Sequence, residues 1–228
     1  MLEDNPTLPY LGDAGRHYHE GKRGIPESAF PWVAKLRSEK ISPHVSSTDV
    51  VFEFGVGSGW NLAGLNCAER IGCDVSEFLA PALTKQNIKF LSDPSSIAPN
   101  SLDVILCHHT LEHVLHPAGA LQDFRRILRP GGKLLLFVPY EKERRYRNYN
   151  RNEPNHHLYC WNVQTLGNLV EAMGFKVVEC GVGRFGYDRF AAHWATRLKA
   201  GETGFRVIRQ TIHLLKPAFE VRMVAMKK

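Results

Sequence analysis

Glu53, Gly55, Gly57 and Gly59 stand on alternate positions at the end of the apolar run Val50-Val51-Phe52. Glycine enters positive φ freely and lets backbone amides crowd a ligand, so an acid followed by three such glycines suits a nucleotide-type cofactor. A second acid, Asp74 in Gly72-Cys73-Asp74-Val75-Ser76, follows about 20 residues later, where a carboxylate can accept both hydroxyls of a ribose. A helix cap or turn is the competing role for Asp74. Candidate proton acceptors are histidines, whose ordinary pKa lies near neutrality. His108, His109, His113 and His116 fall in one stretch, and His156 and His157 in another.

These groups need a frame, and the pattern supplies one. Strand one is expected at 49–54, with a helix after the glycines to about residue 68 whose first amides face the cofactor. Ser76 can cap a helix to about Gln86, and Ile88–Leu91 reads as a third strand. Leu121, Phe124, Ile127 and Leu128 form one helical face that stops at Arg129-Pro130-Gly131-Gly132, before the buried strand Lys133–Pro139. Strands alternating with helices imply a parallel sheet with right-handed crossovers. Pro26–Ile41 reads as an amphipathic helix with Phe30, Val33, Ala34, Leu36 and Ile41 facing inward, and residues 1–24 as an arm over the core. Asn162 can cap, and Gly174 end, a helix with Leu166, Leu169, Val170 and Met173 on one face. Strand six is expected over Lys176–Val182, two helices within 188–215, and strand seven over Phe219–Ala225.

A dinucleotide loop would carry a third glycine at position 60, where Trp60 stands. The pattern Glu53-x-Gly55-x-Gly57-x-Gly59 instead resembles motif I of the class I S-adenosylmethionine-dependent methyltransferases. Asp103-Val104-Ile105, the Leu111-Glu112-His113-Val114 turn, Leu128-Arg129-Pro130-Gly131-Gly132 with the apolar strand to Pro139, and the segment His157 to Leu166 are similar to that family's small-molecule members. The resemblance spans roughly 48–180. It implies a three-layer Rossmann-like α/β fold with a seven-stranded, mostly parallel sheet whose last strand is antiparallel. It also implies S-adenosylmethionine as cofactor, with S-adenosylhomocysteine as product. The cofactor contacts carried over are Glu53, Gly55, Val56, Gly57, Gly59, Asp74, Val75, Asp93, Pro94 and His109. Asp93 matches the family position at the adenine amino group, although a turn aspartate before Pro94 is an equal reading of the local sequence.

Methyl transfer from a sulfonium is an in-line displacement in which positioning does much of the work. The family's planar-amino chemistry uses an Asn/Asp-Pro-Pro-Tyr/Phe motif after strand four, where this chain has Cys107-His108-His109-Thr110. Clustered acids for a catechol-type metal are missing there, and Cys107 is not preceded by proline, as a cytosine-C5 nucleophile would be. That leaves oxygen, carbon or an amine, with a hydroxyl oxygen on a small molecule as the expected acceptor, His109, His156 and His157 as catalytic candidates, and no metal. His113 reads as a structural helix residue. Between Tyr140 and His157, five basic residues (Lys142, Arg144, Arg145, Arg147 and Arg151) interleave with Tyr146 and Tyr149. They read as a solvated lid, or as a nucleic-acid surface in an RNA or tRNA methyltransferase. An NAD-dependent oxidoreductase and a non-catalytic cofactor binder are further alternatives on the same strand logic.

The chain has 228 residues, 43% of them hydrophobic, enough to bury one full core, and a single domain is expected. Its parts are the N-terminal arm and helix (1–47), the cofactor-binding core (48–139), the insertion (140–160) and the C-terminal half (161–228). A net charge of +6 admits an anionic partner without requiring one. The first residues lack a basic and apolar leader, and no apolar run nears a membrane span, so a cytoplasmic protein without membrane contact is expected. Five cysteines without a C-x-x-C pair suggest neither a disulfide framework nor a zinc site. Acceptor identity and oligomeric state are not written in these patterns.

Overall fold

In the computed structural model, residues 10–22, 24–140, 148–149 and 155–228 are described. Seven strands form one sheet in the order β3-β2-β1-β4-β5-β7-β6. They are β1 (Val50–Phe54), β2 (Glu69–Cys73), β3 (Lys89–Leu91), β4 (Leu102–His108), β5 (Leu128–Pro139), β6 (Phe175–Arg184) and β7 (Phe219–Lys227). β1 pairs in parallel with β2 and β4, β2 with β3, and β4 with β5. β7 runs antiparallel between β5 and β6. The sheet and its antiparallel last strand are those implied by the family resemblance. The order reverses between β1 and β4, and their carboxyl ends therefore open a crevice, the usual place for a ligand in such a sheet.

Helices are α1 (Gly12–Arg16), α2 (Phe30–Glu39), α3 (Ala80–Lys85), α4 (Pro117–Ile127), α5 (Val163–Ala172), α6 (Asp188–Arg197) and α7 (Gly201–Leu215). Alternation along β5 sends Leu134, Leu136 and Val138 to one face, against Leu121, Phe124 and Ile127 of α4 and Leu166 and Val170 of α5. Leu135 and Phe137 go to the other face with Ile41, Leu62, Leu65, Leu79 and Leu83. Both faces are thus covered, which explains the apolar run Val104-Ile105-Leu106-Cys107 in β4. Each fully buried leucine or phenylalanine contributes about 1.5–3 kcal/mol relative to exposure. A third cluster joins Ala29 and Val33 to Ala191, Ala192 and Ala195 of α6 and Phe205 of α7, small alanines letting the helices approach.

Asn162 caps α5 with a full capping box, its side chain accepting from Thr165 N, and Gly174 closes the far end at φ +85. Two local expectations fail. Residues 55–68 form turns, not a helix. One α-type bond, Ala63 N to Gly59 O at 3.0 Å, is all that forms there. The chain crosses α2 so closely at Gly64 that a Cβ would lie 2.7 Å from Ser38 Oγ, while Leu62 and Leu65 are pulled into the core. Ser76 does not cap a helix. Its hydroxyl donates to Tyr10 O at 2.7 Å, and a 3-10 turn, Glu77–Leu79, precedes the short α3.

Candidate active site

The tips of β1, β2 and β4 enclose a cavity of about 410 Å³, within the roughly 300–1,000 Å³ usual for small-molecule clefts. Its floor is the glycine loop: Gly55 N and Val56 N donate to Cys73 O at 2.8 and 3.0 Å, locking β1's exit to β2. Gly55, Gly57 and Gly59 all have positive φ, and a Cβ on Gly55 would strike the Thr110 side chain. At Gly57 a Cβ would meet only His19, at 3.6 Å, and so would project into the cavity. Asp74, also in the wall, accepts from Gly57 N at 2.9 Å and from Ser76 N at 3.0 Å. One carboxylate therefore shapes the loop and presents its remaining lone pairs to the cleft.

Glu53 lies just beneath this floor, wholly buried, accepting from Asn61 Nδ2 at 2.5 Å. Burial, against the Asn61 bond, pushes its carboxyl up to about 8, and its second oxygen has no hydrogen-bond partner among the described residues. Asn61 lines the cavity and Glu53 does not, so Glu53 acts through Asn61.

His109 stands at the end of β4 in the left-handed region, φ +53, a turn that aims its ring into the cavity. Its Nε2–H donates to Glu220 Oε2 at 3.1 Å, and its ring lies 4.0 Å from Phe185 and 4.6 Å from His108. Glu220, on β7, also accepts from Lys40 Nζ and from Arg222 Nε, each at 2.9 Å. Burial alone would raise the Glu220 carboxyl, but the His109 bond and the Lys40 charge outweigh it and hold it down at about 2. Burial pushes His109 down to about 4 against the pull of Glu220, and burial likewise lowers His108, with Lys40 and Arg37 adding to the effect. Lys40 is itself lowered to about 8 by burial and by its cationic neighbours, despite Glu220. His109 is therefore a neutral imidazole with Nε2 protonated toward a buried carboxylate and, among the described residues, no partner on Nδ1.

Two groups of histidine and carboxylate atoms come within 4.8 Å of one another: His108, His109 and Glu220, and Glu112, His113 and His157. In the first an ammonium already stands between the ligand atoms, since Lys40 Nζ lies 2.8 Å from His108 Nε2 and 2.9 Å from Glu220.

Of the residues expected in the site, Gly55, Val56, Gly57, Asp74, Val75, Pro94 and His109 line the cavity together. Gly59 sits behind it, where a Cβ would lie 2.8 Å from Leu83 and Ile88. Asp93 is not brought in. Its carboxylate folds back onto Ser95 N and Ser95 Oγ, capping a 3-10 turn, and leaves Ser92 and Pro94 in the wall. His156 and His157 are not brought to His109 either. His156 is exposed at φ +53, and the amides of Leu158 and Tyr159 donate to Glu112 O, which seats the His157 ring against His113, 4.9 Å away. His113 does more than the sequence suggested: it lines the cavity and bonds through Nδ1 to the Tyr10 hydroxyl at 3.0 Å. Tyr10, Tyr18 and His19 from the arm, Arg37, Trp60, Asn61 and Phe185 complete the wall. The basic stretch keeps only Asn148 and Tyr149 among the described residues, so its lid or nucleic-acid role lies outside them.

Comparison with known proteins agrees with this geometry. A family model described as a methyltransferase domain matches residues 26–180. A tRNA U34 carboxymethyltransferase of Hydrogenovibrio crunogenus is 26% identical over 179 residues, 65% of this chain but 52% of that protein, so the chain spans about half its length. A SAM-dependent methyltransferase of Thermotoga maritima superposes with a TM-score of 0.57 at 24% identity, over 73% of this chain and 80% of that one. A phosphoethanolamine N-methyltransferase 2 of Haemonchus contortus, solved with phosphomonomethylethanolamine and S-adenosylhomocysteine, gives 0.58 at 15% identity over 86% and 52%. Among the described residues no helix is long and apolar enough to cross a membrane. With the glycine loop, the second-strand acid and the 3-2-1-4-5-7-6 sheet in place, the chain belongs to the class I S-adenosylmethionine-dependent methyltransferases.

Proposed function

We propose that this methyltransferase acts without a metal on a hydroxyl of a small molecule, with His109 as general base. The observation that carries the reading is His109 in the cavity wall with Glu220 behind it, an Nε2–H held at 3.1 Å by a buried carboxylate and Nδ1 left to receive a proton. Bound S-adenosylmethionine supplies an electrophilic methyl group on sulfur. Gly55, Val56, Gly57 and Asp74 would hold it from below, Val75 and Pro94 flanking the base, with Glu53 and Gly59 shaping the loop from behind. At His109, a proton leaving the acceptor hydroxyl produces an imidazolium facing Glu220, whose charge works against the burial that otherwise disfavours it. Tyr10, Tyr18 and His19 roof the cavity, and Phe185 closes its side against the His109 ring.

A tRNA acceptor is the second reading. It is favoured by the activity named for the Hydrogenovibrio relative and by the basic and aromatic residues between 142 and 151. Incubation with methyl-labelled S-adenosylmethionine and fractionated cell extract separates the two. Label in a low-molecular-mass hydroxyl compound is expected, with incorporation abolished in His109→Ala while S-adenosylhomocysteine still binds. Label confined to RNA, or undiminished transfer by His109→Ala, would overturn the proposal.

A further inference from the structure

Beside the cofactor cavity, sharing Arg37 and Phe185 with it as a common wall, lies a second cavity of about 270 Å³. Its lining includes five cations, Arg37, Lys40, Arg184, Arg209 and Arg222. Asp188, buried at the start of α6, accepts from Arg37 Nε at 2.7 Å and Arg209 Nε at 2.6 Å. Glu220 takes Lys40 and Arg222. Glu39, the remaining acid of the lining, is turned to Arg206, with bonds of 2.6 and 3.1 Å. Two carboxylates thus serve four cations, and Arg184 adds a fifth with no carboxylate on it among the described residues.

Cations withdrawn from water attract an anion more strongly than surface ones do, because less solvent screens them. Side chains of Arg37, Lys40 and Arg209 are only 11, 16 and 21% exposed, whereas Arg222 is 40% exposed and Arg184 is exposed. Arginine forks also match the planar or tetrahedral oxygens of carboxylate and phosphate, which a set of lysines would not do as well.

We infer that this second cavity is an anion subsite and that the methyl acceptor is a small molecule carrying a carboxylate or a phosphate. That group would be anchored among Arg184, Arg209 and Arg222, with the reacting hydroxyl reaching past Arg37 and Phe185 to His109. The inference rests on the small-molecule reading proposed above and narrows its substrate class.

Protein saturated with S-adenosylhomocysteine is titrated calorimetrically at low salt with inorganic phosphate and, separately, with benzoate. Saturable binding of at least one is expected, and the tighter of the two identifies the acceptor's charged group. Arg184→Gln and Arg209→Gln should each weaken it by roughly tenfold or more, the loss of one charge-assisted bond. Lys89→Gln, on the far edge of the sheet, should leave it unchanged, and Arg184→Gln serves alone should Arg209→Gln fail to fold. Absence of saturable binding by either anion, equal affinity in wild type and Arg184→Gln, or equal weakening by Lys89→Gln would overturn the subsite. So would bulk tRNA binding to the loaded protein where neither small anion binds. Failure of wild-type protein to bind S-adenosylhomocysteine would instead strike at the cofactor cavity, so the two failures are distinguishable.

Discussion

Glu220→Gln removes one negative charge and almost no volume from the centre of the network that joins α2, β4 and β7. Glu220 has no exposed surface, and three donors converge on it, Lys40, His109 and Arg222. Its carboxyl is lowered from 4.5 to about 2, burial opposing the shift and His109 and Lys40 producing it. At 1.36 kcal/mol per unit this amounts to about 3 kcal/mol, the lower end of the roughly 3–5 kcal/mol lost when one partner of a buried pair is removed. Because the folded pKa lies below the unfolded one, the contribution is complete above 4.5 and disappears as pH falls toward 2. At neutral pH the variant should therefore be less stable by about 3 kcal/mol, or roughly 6–12 °C in midpoint for a domain of this size. Urea denaturation followed by tryptophan fluorescence, repeated from about pH 7 down to about pH 3, should show the gap closing as the medium becomes acidic. In the same variant Lys40 loses its counter-charge and should titrate below its present value of about 8. A deficit under about 1 kcal/mol at neutral pH, or one that does not shrink on acidification, would refute the assignment of Glu220 as the charge that holds Lys40 and His109.

Gly57→Val combines a backbone held at φ +51 with side-chain atoms directed into the cavity, so S-adenosylhomocysteine binding should be lost by calorimetry while the core strands still form. Asp74→Ala removes the acceptor for both Gly57 N and Ser76 N as well as the proposed ribose partner. Cofactor affinity should weaken by about 1–3 kcal/mol, and an unaltered dissociation constant would contradict that role. Glu53, raised by burial to about 8, binds its proton more tightly folded than unfolded, so wild-type stability should decline as pH rises from 4.5 through 8. Glu53→Gln lacks that titration, and the variant should gain on wild type across the interval; parallel stability profiles would show that Glu53 is ionised in the fold.

What the sequence disclosed and what it withheld divide along chain separation. The acid-glycine loop and Asp74 interact through neighbours fewer than 20 positions apart, as in Gly57 N to Asp74 at 17, so their pattern survives in a local reading. The same holds for the α4 face of Leu121, Phe124 and Ile127, where period alone selects the buried side. Residues 60–68 misled because Leu62 and Leu65 have helical spacing, yet those side chains are drawn into the core while Gly64 packs on α2, a tertiary demand that outweighs propensity in so short a crossover. His109 was legible as a position but not as a chemical species. Burial, with Lys40 adding to it, keeps the ring neutral against the pull of Glu220, and the orientation of its proton comes from Glu220, 111 residues further on. Arg37 and Lys40 fall outside the inward face read for Pro26–Ile41, and helical period cannot distinguish water from a buried carboxylate as the partner of a cation. The distinction emerges only when antiparallel β7 inserts between β5 and β6 and carries Glu220 under α2. In this fold, then, the local sequence encodes the half of the site proposed for the cofactor, whereas the half proposed for the acceptor is assembled from α2, β4, β7 and the segment around Phe185, each contributing charges or rings whose meaning depends on the others.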